Sequence, residues 1–332
     1  MTEVTERYVA IDNVCAWPNL TRLGDGTLVA TIFNQPTHGG WEGDVECWAS
    51  EDGGRRWELR GVPAAHEPGT NRMNVAAGLA ADGSLVVIAS GWSLRPEVGT
   101  YANPHDGEVL APWVCRSADG ARAWTREGSV EPPPGPGAAF VPFGDIVPMG
   151  NGELGVCFYS QRTQDEHLAY FYASGDDGRT WKPRGTVHQV NTNETTPVVL
   201  PDGGLLAAAR TRDDGHLEMF FSEDQGATWS PRGPVTLGAQ HPGHLLVLQD
   251  GRVLLTYGMR NRGMFGVGVR FSEDGGRTWG RPELLVNLGG LTDGGYPSTA
   301  QVEDGVLVTA YYCKGTEAHS RYHMGVVRWQ LD

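Results

Sequence analysis

The chain has 332 residues and a formal net charge of −14, and hydrophobic residues make up 39% of it. A chain this acidic repels polyanions, which argues against a nucleic-acid partner. Its 47 glycines and 21 prolines are turn formers, and this content favours many short strands over long helices.

No apolar run approaches the ~20 residues of a membrane helix, and the N-terminal segment lacks the apolar core of a signal peptide. We therefore expect a cytoplasmic protein without a membrane partner. The five cysteines form no CxxC pair and their number is odd, which favours buried free thiols over a disulfide framework or a zinc site. The sequence indicates no cofactor and leaves the oligomeric state open.

In chain order, the first predicted element is a strand at residues 8–12. Six predicted hairpins follow, each with two apolar strands joined by a tight Asp-Gly or Asn-Gly turn. The turns are Asp25-Gly26, Asp82-Gly83, Asn151-Gly152, Asp202-Gly203, Asp250-Gly251 and Asp304-Gly305. Such dipeptides between apolar stretches are the strongest short-range signal of a β-hairpin.

An octapeptide of the form Ser-x-Asp-x-Gly-x-x-Trp recurs between these hairpins. Its copies span residues 50–57, 117–124, 174–181, 222–229 and 272–279, the second with Ala121 at the fifth position. Asp can accept backbone N–H groups across a turn, Gly can adopt a positive φ, and Trp can pack between sheets. The five aspartates are therefore predicted to be structural turn residues.

Repeated hairpins with outer strands indicate an all-β fold, a six-bladed β-propeller of four-stranded antiparallel blades in a single domain, residues 1–332. The sixth blade lacks the octapeptide, and the strand at residues 8–12 is predicted to supply its outer edge and close the ring. Residues 93–112 are predicted to be an insertion that covers one end of the central funnel. Residues 131–137 are predicted to be a Pro-rich linker between blades two and three.

Polar and aromatic side chains concentrate just before the first strand and just after the second strand of each hairpin. Those positions point into the central funnel, where arginines and carboxylates have no packing role, so they predict a binding site. The binding candidates are Trp17, His38, Arg72, Asn74, Arg210, His241, Arg260 and Arg262.

The octapeptide resembles the Asp-box of the sialidase (neuraminidase) superfamily. The resemblance implies an exo-acting glycoside hydrolase for a terminal, possibly acidic, sugar. It implies Tyr296, in Gly295-Tyr296-Pro297-Ser298, as the nucleophile and Glu194, after Asn193, as its base. A phenol ordinarily has a pKa of ~10, so a nucleophilic tyrosine needs a carboxylate close to it.

Arg210 is implied by the same resemblance as a ligand-binding arginine. A further arginine is implied in the fifth blade, where Arg260 is preferred and Arg262 is the second choice. The general acid is implied to be Asp44, which lies ahead of the first octapeptide, with Glu42 and His38 as alternates.

The chain departs from the sialidase pattern at one position. An arginine that holds the substrate carboxylate in that family is replaced here, because the corresponding segment reads Ala16-Trp17-Pro18. Arg72, from the next blade, is a candidate to enter in its place. The identity of the sugar is therefore left open.

Two other functions remain compatible with the same residues. One is a polyuronate lyase or hydrolase that uses His241 or His244 together with Tyr296. The other is a propeller that binds carbohydrate without catalysis, because propellers host binding as readily as chemistry.

Overall fold

The structure, a computed structural model, describes residues 2–94, 108–133, 139–161, 167–188, 191–290 and 293–331. Most of the predicted insertion (95–107) and of the predicted linker (134–137) lies outside these residues. Across the described ranges, no helix is long and apolar enough to cross a membrane. All five cysteines are buried and free.

The described strands form an all-β propeller with four-stranded antiparallel blades, and four of its sheets have four strands each. The N-terminal strand β1 (Thr2–Asp12) belongs to the last of these sheets. The first sheet contains β2 (Cys15–Arg22), β3 (Leu28–Phe33), β4 (Val45–Ser50) and β5 (Glu58–Ala64).

A nine-stranded sheet follows in the chain. Its first half contains β6 (Asn74–Leu79), β7 (Leu85–Ser90), β8 (Trp113–Ser117) and β9 (Thr125–Arg126). Its second half contains β10 (Ser129–Val130), β11 (Ala139–Pro148), β12 (Leu154–Gln161), β13 (His167–Ser174) and β14 (Thr180–His188). The halves join where β6 and β11 pair in parallel over two residue pairs. Gly78 permits this approach, because a Cβ there would lie 2.2 Å from the Ile146 carbonyl oxygen.

Three four-stranded sheets complete the chain. One contains β15 (Thr192–Val199), β16 (Leu205–Thr211), β17 (Leu217–Ser222) and β18 (Ser230–Pro234). The next contains β19 (Gln240–Val247), β20 (Val253–Asn261), β21 (Met264–Ser272) and β22 (Glu283–Gly289). The last contains β23 (Gly295–Glu303), β24 (Val306–Lys314) and β25 (Tyr322–Leu331), with β1 paired to β25.

All six predicted hairpins are confirmed. Each is an antiparallel pair that turns at the predicted dipeptide: β2–β3, β6–β7, β11–β12, β15–β16, β19–β20 and β23–β24. The glycine of every turn has a positive φ, between 68° and 90°. A positive φ is the backbone condition that makes glycine favourable in these turns.

The five octapeptides form one repeated hydrogen-bond pattern. In each, the Ser hydroxyl donates to the Asp carboxylate at 2.8–2.9 Å. The backbone N–H of the seventh residue donates to the same carboxylate at 2.8–2.9 Å. The fifth residue has a positive φ in every copy, including Ala121 at 72°. The Asp side chain thus holds the turn, as its sequence position predicts.

Replacing Asp274 by Ala should lower stability and leave the chemistry of the chain unchanged. The carboxylate accepts hydrogen bonds from Ser272, Arg277 and Thr278. Losing a carboxylate that caps backbone N–H groups costs about 1–2 kcal/mol. Urea-induced unfolding measures the loss, with the exposed neighbour Glu273→Ala as control. Equal stabilities of the two variants would contradict this role.

The apolar core is divided into clusters that lie between consecutive strand sets. One cluster packs β3–β5 against β6–β8, and the next packs β6–β8 against β11–β14. Three more clusters pack β12–β14 against β16–β17, β16–β17 against β19–β20, and β20–β22 against β24–β25. A further cluster packs the last sheet against the first, with Met324 and Val326 against Leu28 and Ile32. The burial therefore runs in a ring around a central axis.

The inner strands are irregular at one end. Register shifts interrupt β2 between Cys15 and Asn19, β15 between Thr192 and Thr195, β19 between Gln240 and Gly243, and β23 between Gly295 and Ser298. A bulge bends a strand and re-aims its side chains. These bulges carry Trp17, Glu194, His241 and Tyr296 of the candidate site.

Candidate functional site

A cavity of about 530 Å³ lies at the bulged ends of the inner strands. This volume is within the range of small-molecule sites. Its wall contains the predicted residues Trp17, His38, Asn74, Glu194, Arg210, His241, Arg260 and Tyr296. Among the described side chains, no three His, Cys, Asp or Glu residues are grouped as metal ligands.

Three of these side chains form a hydrogen-bonded group. The Tyr296 hydroxyl donates to Glu194 Oε1 at 2.6 Å. Arg210 Nη1 donates to Glu194 Oε2 at 2.6 Å and to the Tyr296 oxygen at 3.3 Å. The chain brings the three together from β15, β16 and β23, although Glu194 and Tyr296 are 102 residues apart.

The protonation states of this group follow from its burial and charges. Burial opposes ionisation of Glu194, but the Arg210 charge and the hydrogen bonds from Tyr296 and Arg210 outweigh it, so the Glu194 pKa is below its ordinary value. Burial and the Glu194 charge raise the pKa of Tyr296 well above 10, against the opposing effect of Arg210 and Arg260. The group therefore contains an ionised carboxylate and a neutral phenol that donates to it.

The Tyr296 ring is held on two sides. Trp17 stacks on it with ring centroids 4.5 Å apart and an interplanar angle of 20°. The Arg260 guanidinium carbon lies 5.2 Å from the ring centroid. The Tyr296 backbone has a φ of 48°, a sparsely populated conformation for a bulky residue. The bulge of β23 and these contacts aim the hydroxyl at Glu194.

The space beside Ala16 is filled by tyrosines. Ala16 is fully buried in a cluster with Tyr296, Tyr312 and Tyr322. Tyr312 donates its hydroxyl to Asp293 Oδ1 at 2.6 Å, and Tyr322 donates to Asp293 Oδ2. Burial favours the neutral acid, but these two donors and nearby His38 and Arg260 lower the pKa of Asp293 below its ordinary value.

Arg72 does not occupy that space. Its guanidinium lies 3.7 Å from the ring centroid of Trp113, donates to the Ala111 carbonyl at 2.9 Å and pairs with Glu67 at 3.3 Å. The suggestion that Arg72 replaces the arginine missing at Ala16 is thus corrected, because these contacts direct it away from the cavity wall. Arg262 is exposed near the β20–β21 turn, and only Arg260 of that pair reaches the wall.

Asp44 is also absent from the cavity wall. Its Oδ1 accepts the His66 backbone N–H at 2.7 Å and lies 2.6 Å from His66 Nδ1. Glu42 lies 3.3 Å from the other ring nitrogen of His66. The hydrogen bond that the His66 ring donates to Asp44 raises the pKa of His66 above its ordinary value, against the opposing effect of burial. Of the three acid candidates in this segment, only His38 lines the cavity.

The two histidines of His241-Pro-Gly-His244 lie in different surroundings. His241 is in the cavity wall, where burial and then the Arg210 charge lower its pKa to about 3. Such an imidazole is a weak base. His244 lines a separate cavity of about 30 Å³, and its Nε2 lies 3.0 Å from Asp145 Oδ2. His244 therefore lies outside the wall of the larger cavity that contains Tyr296 and Glu194.

Several wall residues were missed at the sequence level. They are Asp213 and Asp214, on an exposed rim that also contains Arg212 beyond the end of β16, and Tyr159, which enters from β12. One sequence signal does mark the bulges. Proline follows the wall residue in Trp17-Pro18, His241-Pro242 and Tyr296-Pro297, and proline within a sheet is confined largely to edges and bulges.

The fold and the cavity together define a β-propeller with a polar, partly charged site at the bulged ends of its inner strands. The BNR repeat-like domain family matches residues 26–309. The chain therefore belongs to the BNR repeat-like domain family. No curated protein sequence shows a significant match to it.

Solved structures share the fold. A Dyadobacter fermentans protein of unknown function superposes with a TM-score of 0.83 at 23% identity, covering 100% of this chain and 99% of that one. The Hadza microbial sialidase Hz136 superposes with a TM-score of 0.74 at 19% identity, covering 95% of this chain and 65% of that one. Trypanosoma rangeli sialidase in complex with the inhibitor DANA superposes with a TM-score of 0.70 at 16% identity, covering 96% of this chain and 55% of that one. The fold is therefore sialidase-like, and the chain spans about two thirds or less of either sialidase.

Proposed function

We propose that the protein is a sialidase-like exo-glycoside hydrolase that removes a terminal sugar, with Tyr296 as the nucleophile and Glu194 as its base. The observation that carries the proposal is the 2.6 Å hydrogen bond from the Tyr296 hydroxyl to the ionised Glu194 in the wall of the cavity. Nucleophile and base within hydrogen-bond reach, with the base oriented by a third group, is the arrangement that nucleophilic catalysis needs.

In the first step, the Tyr296 oxygen attacks the anomeric carbon and its proton passes to Glu194. The bond from the anomeric carbon to the glycosidic oxygen breaks, and the leaving oxygen takes a proton from a general acid. Arg210, 3.3 Å from the phenol oxygen, stabilises the negative charge that develops there. The product is a sugar joined covalently to Tyr296.

In the second step, a water oxygen attacks the anomeric carbon and gives its proton to the group that acted as the acid. The bond to Tyr296 breaks, and Glu194 returns its proton to the phenol oxygen. Two displacements at one carbon give overall retention of configuration. Tyrosine is a recognised alternative to the carboxylate nucleophile in sialidases.

We assign the general acid to His38 in preference to Asp44. His38 is supported by its position in the cavity wall and by its ring, 5.0 Å from the Trp17 ring that stacks on Tyr296. Imidazole is the side chain that ordinarily exchanges a proton near neutral pH. Asp44, in contrast, is bonded to His66 outside the wall.

His38→Gln should lower kcat about 10²–10⁴-fold on alkyl glycosides, whose leaving group needs a proton. The loss should be much smaller on 4-nitrophenyl glycosides, whose leaving group departs without one. Asp44→Asn is the matched comparison and should retain kcat within about threefold on both substrates. A large loss in Asp44→Asn with little loss in His38→Gln would return the role to Asp44.

We further propose that the nine-stranded sheet is two blades, β6–β9 and β10–β14, so that the propeller has six. Support comes from the six apolar clusters that pack consecutive strand sets against each other, the last set against the first included. The parallel contact of β6 with β11 covers only two residue pairs. The antiparallel pairing of β1 with β25 supports ring closure by the N-terminal strand.

A further inference from the structure

We propose that the sugar taken by the cavity is uncharged, carrying hydroxyl groups and no carboxylate. This inference rests on the proposed hydrolase function and names its substrate class. The two buried arginines of the site, Arg210 and Arg260, are already matched by carboxylates of the protein.

The cavity wall contains as many carboxylates as arginines. Glu194, Asp213 and Asp214 oppose Arg210, Arg212 and Arg260, so the formal charge of these six is zero. The rim members of both signs are exposed, and water weakens their attraction for a ligand. Binding of a buried sugar carboxylate would therefore depend on Arg210 and Arg260.

Arg210 holds Glu194 through its Nη1 atom. Their charged atoms are 2.6 Å apart, and the Glu194 side chain is only 6% exposed. Transferring Arg210 to a ligand carboxylate would leave Glu194 as a buried charge without its cation, which is strongly unfavourable. It would also remove the group that keeps Glu194 ionised as the base for Tyr296. A ligand carboxylate competes with catalysis here.

Arg260 is matched by Asp293. Its Nη2 lies 3.9 Å from Asp293 Oδ1 and donates to the Gly294 carbonyl and the Tyr312 hydroxyl, each at 3.3 Å. Asp293 is in turn fixed by Tyr312 and Tyr322. A second carboxylate next to Arg260 would lie close to this fixed negative charge and be repelled by it.

Among the described residues, no arginine takes the place beside Ala16. Ala16 is fully buried against aromatic side chains, and Arg72 is held under Trp113. The protein thus places aromatic rings around Ala16, where an anionic ligand would need a positive charge.

The cavity wall contains polar atoms that can hydrogen-bond to the hydroxyl groups of a sugar. Five buried polar atoms of wall residues have no hydrogen-bond partner among the described residues: Asn74 Nδ2, Asn193 Oδ1, Arg210 Nε, His241 Nδ1 and Arg260 Nε. The set mixes donors and acceptors. A sugar hydroxyl both donates and accepts, so a polyhydroxylated ligand can satisfy the whole set.

The test compares matched substrates that differ in charge. Initial rates on 4-nitrophenyl glucosides and galactosides of both anomers are compared with the corresponding glucuronides and galacturonides, and with the 4-nitrophenyl sialoside. We expect kcat/KM for the preferred neutral sugar to exceed that for its acidic counterpart, and for the sialoside, at least tenfold. Faster hydrolysis of the acidic member overturns the inference and leaves the hydrolase function standing.

The variant Asp293→Asn tests whether the negative charge beside Arg260 disfavours acidic sugars. Removing the carboxylate beside Arg260 should shift the neutral-to-acidic ratio at least fivefold toward the acidic sugars, whereas Asp304→Asn, an exposed turn residue of the same sheet, should not change it. An unchanged ratio in Asp293→Asn also overturns the inference.

Absence of hydrolysis on every substrate would count against the proposed function, and calorimetric titration would then decide the inference. Glucose and galactose are titrated against glucuronate, galacturonate and sialic acid. Binding of a neutral sugar at least tenfold tighter than of its acidic counterpart supports the inference. Binding of the acidic sugars alone, or of no sugar, overturns it.

Discussion

Replacing Tyr296 by Phe should reduce kcat by at least about 10³-fold on every glycoside that the protein hydrolyses. The substitution removes only the hydroxyl that donates to Glu194 at 2.6 Å. The ring remains stacked between Trp17 and the guanidinium of Arg260, so folding and ligand binding should be retained. Steady-state kinetics, with circular dichroism to confirm the fold, measures the effect.

The control for this variant is Tyr257→Phe. Tyr257 is fully buried, its hydroxyl has no hydrogen-bond partner among the described residues, and it does not line the cavity. Removing that hydroxyl should leave kcat within about twofold. Undiminished hydrolysis by Tyr296→Phe would contradict the nucleophile assignment. Sugar binding without turnover in the unmodified protein would identify a carbohydrate-binding propeller.

The hairpins and octapeptide turns were predictable because their chemistry is local. An Asp-Gly turn needs a positive φ within the turn itself, and the Asp274 carboxylate accepts from residues at most four positions away. Such signals depend on neighbours in sequence, and the chain repeats them often enough to define the architecture. The joining of β6 to β11 was not predictable, because it depends on the approach of Ile146 to Gly78 across the fold.

The site was predictable only where a local pattern resembled a known one. Tyr296, Glu194 and Arg210 meet as the resemblance implied, although no spacing rule connects residues 102 positions apart. The contacts of Asp44 and Arg72 could not be predicted from the sequence. They depend on His66 and Trp113, whose side-chain directions are set by packing. The sequence reveals the loss of an arginine at Ala16, but not that tyrosines fill the space.

Replacing Arg210 by Met should lower stability at neutral pH by about 3–5 kcal/mol. The Met side chain keeps the apolar stem but removes the cation 2.6 Å from Glu194, whose side chain is only 6% exposed. The loss comes mainly from the carboxylate left buried without a partner. Urea-induced unfolding at pH 7 measures it, and Arg262→Met, at an exposed position, should change stability by less than about 0.5 kcal/mol.

The pH dependence of this loss separates an uncompensated charge from a packing defect. In the unmodified protein the Glu194 pKa is lowered, so its contribution to stability is present above the pKa of the unfolded chain, ~4.3, and is lost as pH falls through the folded value. Without Arg210, burial raises the folded pKa, and the variant loses stability as pH rises above ~4.3. The difference between the two proteins should therefore shrink toward pH 4.

The double variant Glu194→Gln, Arg210→Met tests whether the unpaired Glu194 charge causes the loss of stability. If the ion pair is what makes each partner tolerable, removing both charges should recover much of the stability that Arg210→Met loses at pH 7, because no buried charge remains. The recovered protein should still lack hydrolytic activity, since the base of Tyr296 is gone. A double variant as unstable as Arg210→Met, with a loss independent of pH, would mean that Arg210 acts through packing alone.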